Sequence, residues 1–196
     1  MKVKKYYNKV FLYWAQVFIC LISIIFTTGC AVDKFYKNPQ LDAGQINTIA
    51  VLPFENFTND KYAGDKMKEK VVIELFSRGF EVIEEGEIAR QLKKLKVKSS
   101  QEMTLNDIKT LGQNFKADVV MKGSVGTFEI VKGVSVAYPE VSIVLRLIKT
   151  ENGETIWSVA HTAGGPDFWT RHFGTEGLTL DEMAQKVVKE AINSLK

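Results

Sequence analysis

The sequence predicts a single α/β domain, with a mixed sheet of about five strands flanked by helices in a three-layer-like arrangement. The expected order is β-α-β-α-α-β-β-β-α. Three observations carry this expectation. Thr48-Ile49-Ala50-Val51-Leu52-Pro53-Phe54 is a nearly continuous apolar run, the pattern of a strand buried on both faces. Stretches with a 3.6-residue apolar period are interleaved with such runs. Near the end, Asn152-Gly153 sits between two β-rich segments, a strong hairpin signal that brings an antiparallel pair into the sheet.

The elements follow in order. Pro53 ends the first strand because it cannot donate to a ladder. Asn56 to Asp60 is turn-like and supplies caps to a helix whose Met67, Val71, Val72, Leu75 and Phe76 share one face. Gly79 stands where a left-handed residue closes a helix, and Phe80 to Glu84 forms the second strand. Ile88, Leu92 and Leu95 mark a short helix. Thr104 with Asp107 resembles a capping box for the next one, with Leu105, Ile108 and Leu111 facing inward. Ala117 to Val125 reads as a buried strand closed by Gly123 and Gly126. Ser142 to Ile148 alternates, and Asn152-Gly153 returns it into Thr155 to Ala160. Thr179 and Glu182, with Leu178 before them, open a last helix. Its Met183, Ala184, Val187, Val188, Ala191, Ile192 and Leu195 line one side.

The start of the chain has a different character. Met1 to Gly29 carries Lys2, Lys4, Lys5 and Lys9 and no acid, then an apolar run from Val10 to Phe26 broken by Gln16 and Ser23. A basic start, an apolar stretch and small residues at its end make a secretory signal. Thr27-Thr28-Gly29-Cys30 resembles a bacterial lipobox, with Thr27 standing where that pattern usually has an aliphatic residue. The expected organisation is therefore a lipoprotein signal over 1–29, a lipidated N-terminus and tether over 30–46, and a periplasmic α/β domain over 47–196. An uncleaved anchor is the alternative, since the run is near the length that spans a bilayer.

Cleavage before Cys30 leaves 167 of the 196 residues and, with four lysines gone, changes the net charge from +3 to −1. Cys20 goes with the leader and Cys30 takes lipid, so the remaining domain has no thiol for a disulfide in an oxidising compartment. Ala31, rather than Asp, after the cysteine points to the bacterial outer membrane, with the domain facing the periplasm.

The domain offers little chemistry. It has no phosphate-binding glycine loop, no nucleophile elbow and no paired metal ligands; His161 and His172 lie eleven residues apart with Asp167 between them. Catalytic, cofactor and metal sites are accordingly expected to be absent. Glu84, Glu85 and Glu87 suit the dipole at a helix start. Arg90, Lys93, Lys94, Lys96 and Lys98 form a solvated helix face or a surface for an anionic polymer or lipid; behind a secretory signal, nucleic acid is not an expected partner. One segment stands apart. Ala163 to Gly177 is a long, glycine-broken connection holding Phe168, Trp169, Arg171, His172 and Phe173. Long ordered connections tend to be functional, and these residue types anchor interfaces. They form either a partner interface or a small satellite core.

Three stretches together carry a family likeness. The first is Ile49-Ala50-Val51-Leu52-Pro53-Phe54-Glu55-Asn56, followed by a helix and Arg78-Gly79-Phe80-Glu81-Val82-Ile83-Glu84. The second is Ala117-Asp118-Val119-Val120-Met121-Lys122-Gly123-Ser124-Val125. The third is Val144 to Ile148, then Thr150-Glu151-Asn152-Gly153-Glu154-Thr155-Ile156-Trp157. In this order after a lipobox they resemble the CsgG-type bacterial lipoproteins. The opening strand and helix are also similar to those of LpoB and of the TolB N-terminal domain.

The resemblance implies a periplasmic α/β domain anchored by lipid. Gly126 to Glu140 departs from the CsgG pattern, being too short for a pair of membrane-spanning strands. The resulting expectation is a non-enzymatic assembly factor that binds envelope proteins or a second copy of itself in secretion or surface-structure assembly. The alternatives are an oligomeric secretion-channel subunit and a periplasmic ligand-binding domain or enzyme.

Overall fold

The computed structural model describes residues 34–39, 41, 43–133, 136–165 and 177–195, together with Trp14 and Gln16. Met1–Val32 and Asp33–Lys196 are separate compact units. Trp14 and Gln16, both helical, are what is described of the first. No helix among the described residues is long and apolar enough to cross a membrane.

In the second unit the strands are β1 (Lys34–Lys37), β2 (Thr48–Val51), β3 (Glu55–Asn56), β4 (Glu81–Val82), β5 (Val119–Lys132), β6 (Ala137–Lys149) and β7 (Thr155–Gly164). The helices are α1 (Ala63–Ser77), α2 (Glu85–Leu95), α3 (Leu105–Phe115) and α4 (Leu180–Asn193), with 3-10 turns at Ala43–Gln45 and Ser100–Glu102. They build one mixed, open sheet in the order β1-β7-β6-β5-β2-β4, with β3 also paired to β5. The β2, β3, β4 and β5 pairings are parallel, whereas β5, β6, β7 and β1 are joined antiparallel. The α/β class and the mixed sheet are those expected from the sequence.

Each sheet face has its own core. On one, α1 and α4 bring Met67, Val71, Leu75, Val187, Val188, Ala191 and Ile192 against Met121, Val125, Ile143, Leu145, Leu147, Trp157 and Val159. Trp157 is fully buried there and its indole N–H donates to Ser194 Oγ at 3.2 Å, so the large ring is packed without an orphaned donor. On the other face α2 and α3 cover Ala50, Leu52, Val120 and Ile148 with Ile88, Leu92, Ile108 and Leu111. That second layer covers the parallel half. Beyond it Lys122, Arg146, Ser158 and Tyr36 stand opposite one another across β5, β6, β7 and β1.

Local signals set the element ends. Glu84 caps α2 by accepting from the Gly86 and Glu87 N–H groups at 2.9 and 3.0 Å, which holds its carboxyl below the usual range. The acidic cluster thus closes a helix start. Thr104–Asp107 and Thr179–Glu182 form full capping boxes. Gly79 and Gly153 take positive φ, at the end of α1 and in the β6–β7 turn.

Several expectations change. Within the segment read as a tether, Lys34–Lys37 pairs with β7 and Lys37 Nζ donates to the Leu195 carbonyl at 3.3 Å. An open sheet edge accepts an extended segment whatever its side-chain pattern, and Phe35 and Tyr36 remain exposed. The sheet has seven strands rather than five, because β1 and β3 are too short to show a period; β4 lies within the expected second strand.

Gly126 does not close β5. The register shifts between Val125 and Thr127 and the ladder continues to Lys132 opposite Ala137, so the glycine marks a bulge. Phe76, expected inside, is more than half exposed: Met67, Val71 and Leu75 form the i, i+4 stripe and Phe76 lies a further 100° round. Leu105, also expected inside, is half exposed and lies over the β6–β7 turn, where a Cβ on Gly153 would come 2.4 Å from its Cδ1.

Candidate functional site

Cys30, the expected lipidation site, and Phe168, Trp169, Arg171, His172 and Phe173, the expected interface, lie outside the described residues. The points where the aromatic segment leaves and rejoins the domain are described. β7 ends at Gly164, opposite Glu140 of β6, and Gly165 turns the chain out of the sheet with φ +101°. The chain returns into α4 through its capping box, where Thr179 N–H donates to Glu182 at 2.8 Å and Glu182 N–H to Thr179 Oγ1 at 3.2 Å. The Thr179 N–H, first, and then the Thr179 hydroxyl, which donates to Glu182 Oε2 at 2.9 Å, hold the Glu182 carboxyl below the usual range. Both ends of the segment are therefore tied to regular elements.

The same end of the sheet carries the turn that opens α1 and the extended β5–β6 hairpin. In the turn, Asn56 Nδ2 donates to the Asp60 carbonyl at 2.8 Å, and Thr58 donates to Asn56 Oδ1 through its N–H and hydroxyl at 3.0 and 2.8 Å. Asp60 accepts the Tyr62 N–H at 2.9 Å and pairs with Lys66 Nζ at 2.7 Å; Lys66, first, and then that N–H hold its carboxyl below the usual range. Phe57 N–H donates to the Val125 carbonyl at 2.9 Å, which ties the turn to β5.

This bonded turn presents Phe57 and Tyr62, 65% and 53% exposed, with the Lys61 ammonium 4.6 Å from the Tyr62 ring. On the hairpin Phe128 is buried opposite Val141 with the Lys66 ammonium 5.3 Å from its ring. Two residues on, Ile130 is half exposed opposite Pro139. The apolar face of β5 thus runs out past the helices that cover the rest of it.

Exposed Phe, Tyr and Ile on well-bonded backbone, with lysines at the rim, form the composition of a protein interface. Their order lowers the entropy cost of binding. Sequence reasoning missed all three residues. Phe57 and Tyr62 were visible as aromatics bracketing a polar capping turn. Ile130 lay in a stretch read as a connection, and the Phe128/Ile130 alternation was its one signal.

The remaining candidates have structural partners. His161 is buried and lies 2.8 Å from Glu190 Oε2 on α4. Among the described residues no group of three His, Cys, Asp or Glu side chains is arranged to hold a metal. Arg90, Lys93, Lys94, Lys96 and Lys98 are exposed on and just after α2.

Solved structures share this fold. A single-site variant of the PelC dodecamer from Paraburkholderia phytofirmans superposes with TM-score 0.59 at 19% identity, covering 85% of this chain and 99% of that one. Lipoprotein GNA1162 from Neisseria meningitidis gives 0.56 at 19% identity, covering 76% and 99%. A weaker likeness, with TM-score 0.45 at 20% identity and covering 66% and 88%, is to the LpoB C-terminal domain from Salmonella enterica, and the shared fold rests on the first two. No curated protein matches the sequence.

The family whose model matches is described as the peptidoglycan-synthase activator LpoB, over residues 27–162. The CsgG-type expectation gains no support from these comparisons; the motifs it rested on, the opening strand and helix and the later hairpin, fall within the LpoB match. With more than two thirds of its length in that match, the chain belongs to the LpoB family.

Proposed function

We propose that this protein is a non-enzymatic lipoprotein of the outer membrane, facing the periplasm, that binds and activates a peptidoglycan synthase through the hairpin end of its sheet. Cys30 carries the lipid anchor. Phe57, Tyr62 and Ile130 supply apolar anchors, and the segment with Phe168, Trp169, Arg171, His172 and Phe173, which starts and ends at this end of the sheet, extends the surface. The observation that carries the reading is an exposed aromatic and aliphatic set on bonded backbone, in a chain of a synthase-activator family.

Pull-down of a peptidoglycan synthase from the same cell tests the surface. Tyr62→Ala and Trp169→Ala are expected to lower recovery while the protein stays folded, and recovery equal to wild type from both rejects the site. Cys30→Ala is expected to move the protein out of the membrane fraction; unchanged fractionation rejects the anchor. Self-association is a second reading, favoured by the dodecameric state of the PelC neighbour, and size-exclusion of the detergent-solubilised protein distinguishes it.

A further inference from the structure

On the sheet face opposite α1 and α4, the 3-10 turn Ser100–Glu102 overhangs β5 and β6 and leaves an open cleft of about 440 Å³. Lys122 and Arg146 line it and face each other directly across the two strands. Like charges in that relation repel. Among the described residues neither has a carboxylate within ion-pair distance. Lys122 is half-buried, and its burial, with the neighbouring Arg146, pushes the ammonium pKa below the ordinary lysine value, while Glu55 opposes that shift.

Glu55, the one acid on the wall, is committed elsewhere. Its Oε1 accepts from Ser99 Oγ at 2.6 Å and from the Ser100 N–H and hydroxyl at 3.0 Å each, which fixes the overhanging turn. Two cations and one ionised carboxylate leave the cleft one positive charge in excess. Ser124 and Gln101 add polar groups to the wall.

We propose that this cleft binds a single carboxylate presented by an acidic side chain of a protein partner, with Arg146 as the accessible fork and Lys122 as the charge behind it. A guanidinium matches a carboxylate in two parallel hydrogen bonds. The excess of one charge suits a monoanion, and Glu55 disfavours a doubly charged phosphate. The proposal takes from the function above only that the ligand is a protein, because the cleft and the hairpin surface use different residues.

The test is binding of fluorescein-labelled hexaglutamate to the full chain in detergent micelles, followed by anisotropy. Arg146→Gln and Lys122→Met are each expected to weaken binding about tenfold or more, the scale of a lost charged hydrogen bond. Arg146→Lys, which keeps the charge but loses the two-bond fork, is expected to fall between wild type and Arg146→Gln. Lys93→Gln/Lys94→Gln, on the exposed face of α2, and Trp169→Ala are expected to match wild type, so loss of the hairpin surface and loss of the cleft are told apart. The proposal is overturned if wild type does not bind, if Arg146→Gln binds like wild type with an unchanged unfolding midpoint, or if the α2 double variant loses as much. Displacement of the peptide by inorganic phosphate beyond chloride at equal ionic strength, or by phosphatidylglycerol vesicles, also overturns it.

Discussion

Trp157 and Glu55 show two ways in which single side chains hold this domain. Trp157 fills the space between β7 and α4, so Trp157→Ala leaves a large void. A loss of about 3–5 kcal/mol is expected in denaturant unfolding, and a loss below about 1 kcal/mol would contradict the packing described. Glu55 acts through charge. The Ser99 hydroxyl first, then Ser100, stabilise its ionised form and hold its folded-state pKa below 4.5. Its contribution is therefore full above about pH 4.5 and is lost as pH falls through the lower folded value. Glu55→Gln is expected to flatten the acid limb of the stability–pH curve; an acid limb as steep as wild type would show that the bonds carry no stability. The strand around Trp157 was legible in the sequence because the Asn152-Gly153 turn that returns the chain into it is a local signal. The Glu55–Ser99 contact was not, since it joins residues 44 apart that no period connects.

Among the elements, α1 and α4 are joined at their C-terminal ends by one residue. Arg78 donates to Glu74 at 2.8 and 2.6 Å, to Asn193 Oδ1 at 2.7 Å and to the Ile192 carbonyl at 3.3 Å. Both side chains of the Arg78–Glu74 pair are nearly buried, so removing one leaves the other desolvated and unpaired. Arg78→Met is expected to cost about 3–5 kcal/mol. Adding Glu74→Gln is expected to recover part of the loss, and strict additivity in the double-mutant cycle would reject the pairing.

The helices themselves were readable: caps at Thr104 and Thr179 and stripes such as Met67, Val71 and Leu75 are properties of neighbouring residues. Strand β1 and the outer half of the β5–β6 hairpin were not. β1 is recruited by a free edge rather than by its own pattern, and Gly126, which resembles a strand end, is a bulge that lets the ladder continue. The two-residue strand β3 exists only because β5 lies beside it, whereas β4 falls within the run Phe80 to Glu84 that reads as a strand.

At the scale of the whole molecule, the open sheet has a covered side, a half-covered side and an end where apolar residues emerge. The parallel half is covered on both faces, by α1 on one and by α2 and α3 on the other, while α4 lies over β6 and β7; the antiparallel half carries the hairpin and both roots of the aromatic segment. The function class was partly legible. A lipobox, an absence of catalytic motifs and a connection holding Phe168, Trp169 and Phe173 together suggested a binding protein of the envelope. The particular family was partly legible: the opening strand and helix were read as similar to LpoB, but beside a CsgG-type reading that gains no support, because such motifs are short strands and turns that related α/β lipoproteins share. The membership came from similarity along residues 27–162.

The central claim, that this chain activates a peptidoglycan synthase through its hairpin end, is tested most directly by the rate of glycan synthesis. The measurement uses a purified synthase from the same cell with increasing amounts of this protein. A saturable rise in rate that Tyr62→Ala and Trp169→Ala weaken is the predicted result. A rate unchanged at every concentration, with folded wild-type protein present, would contradict the account.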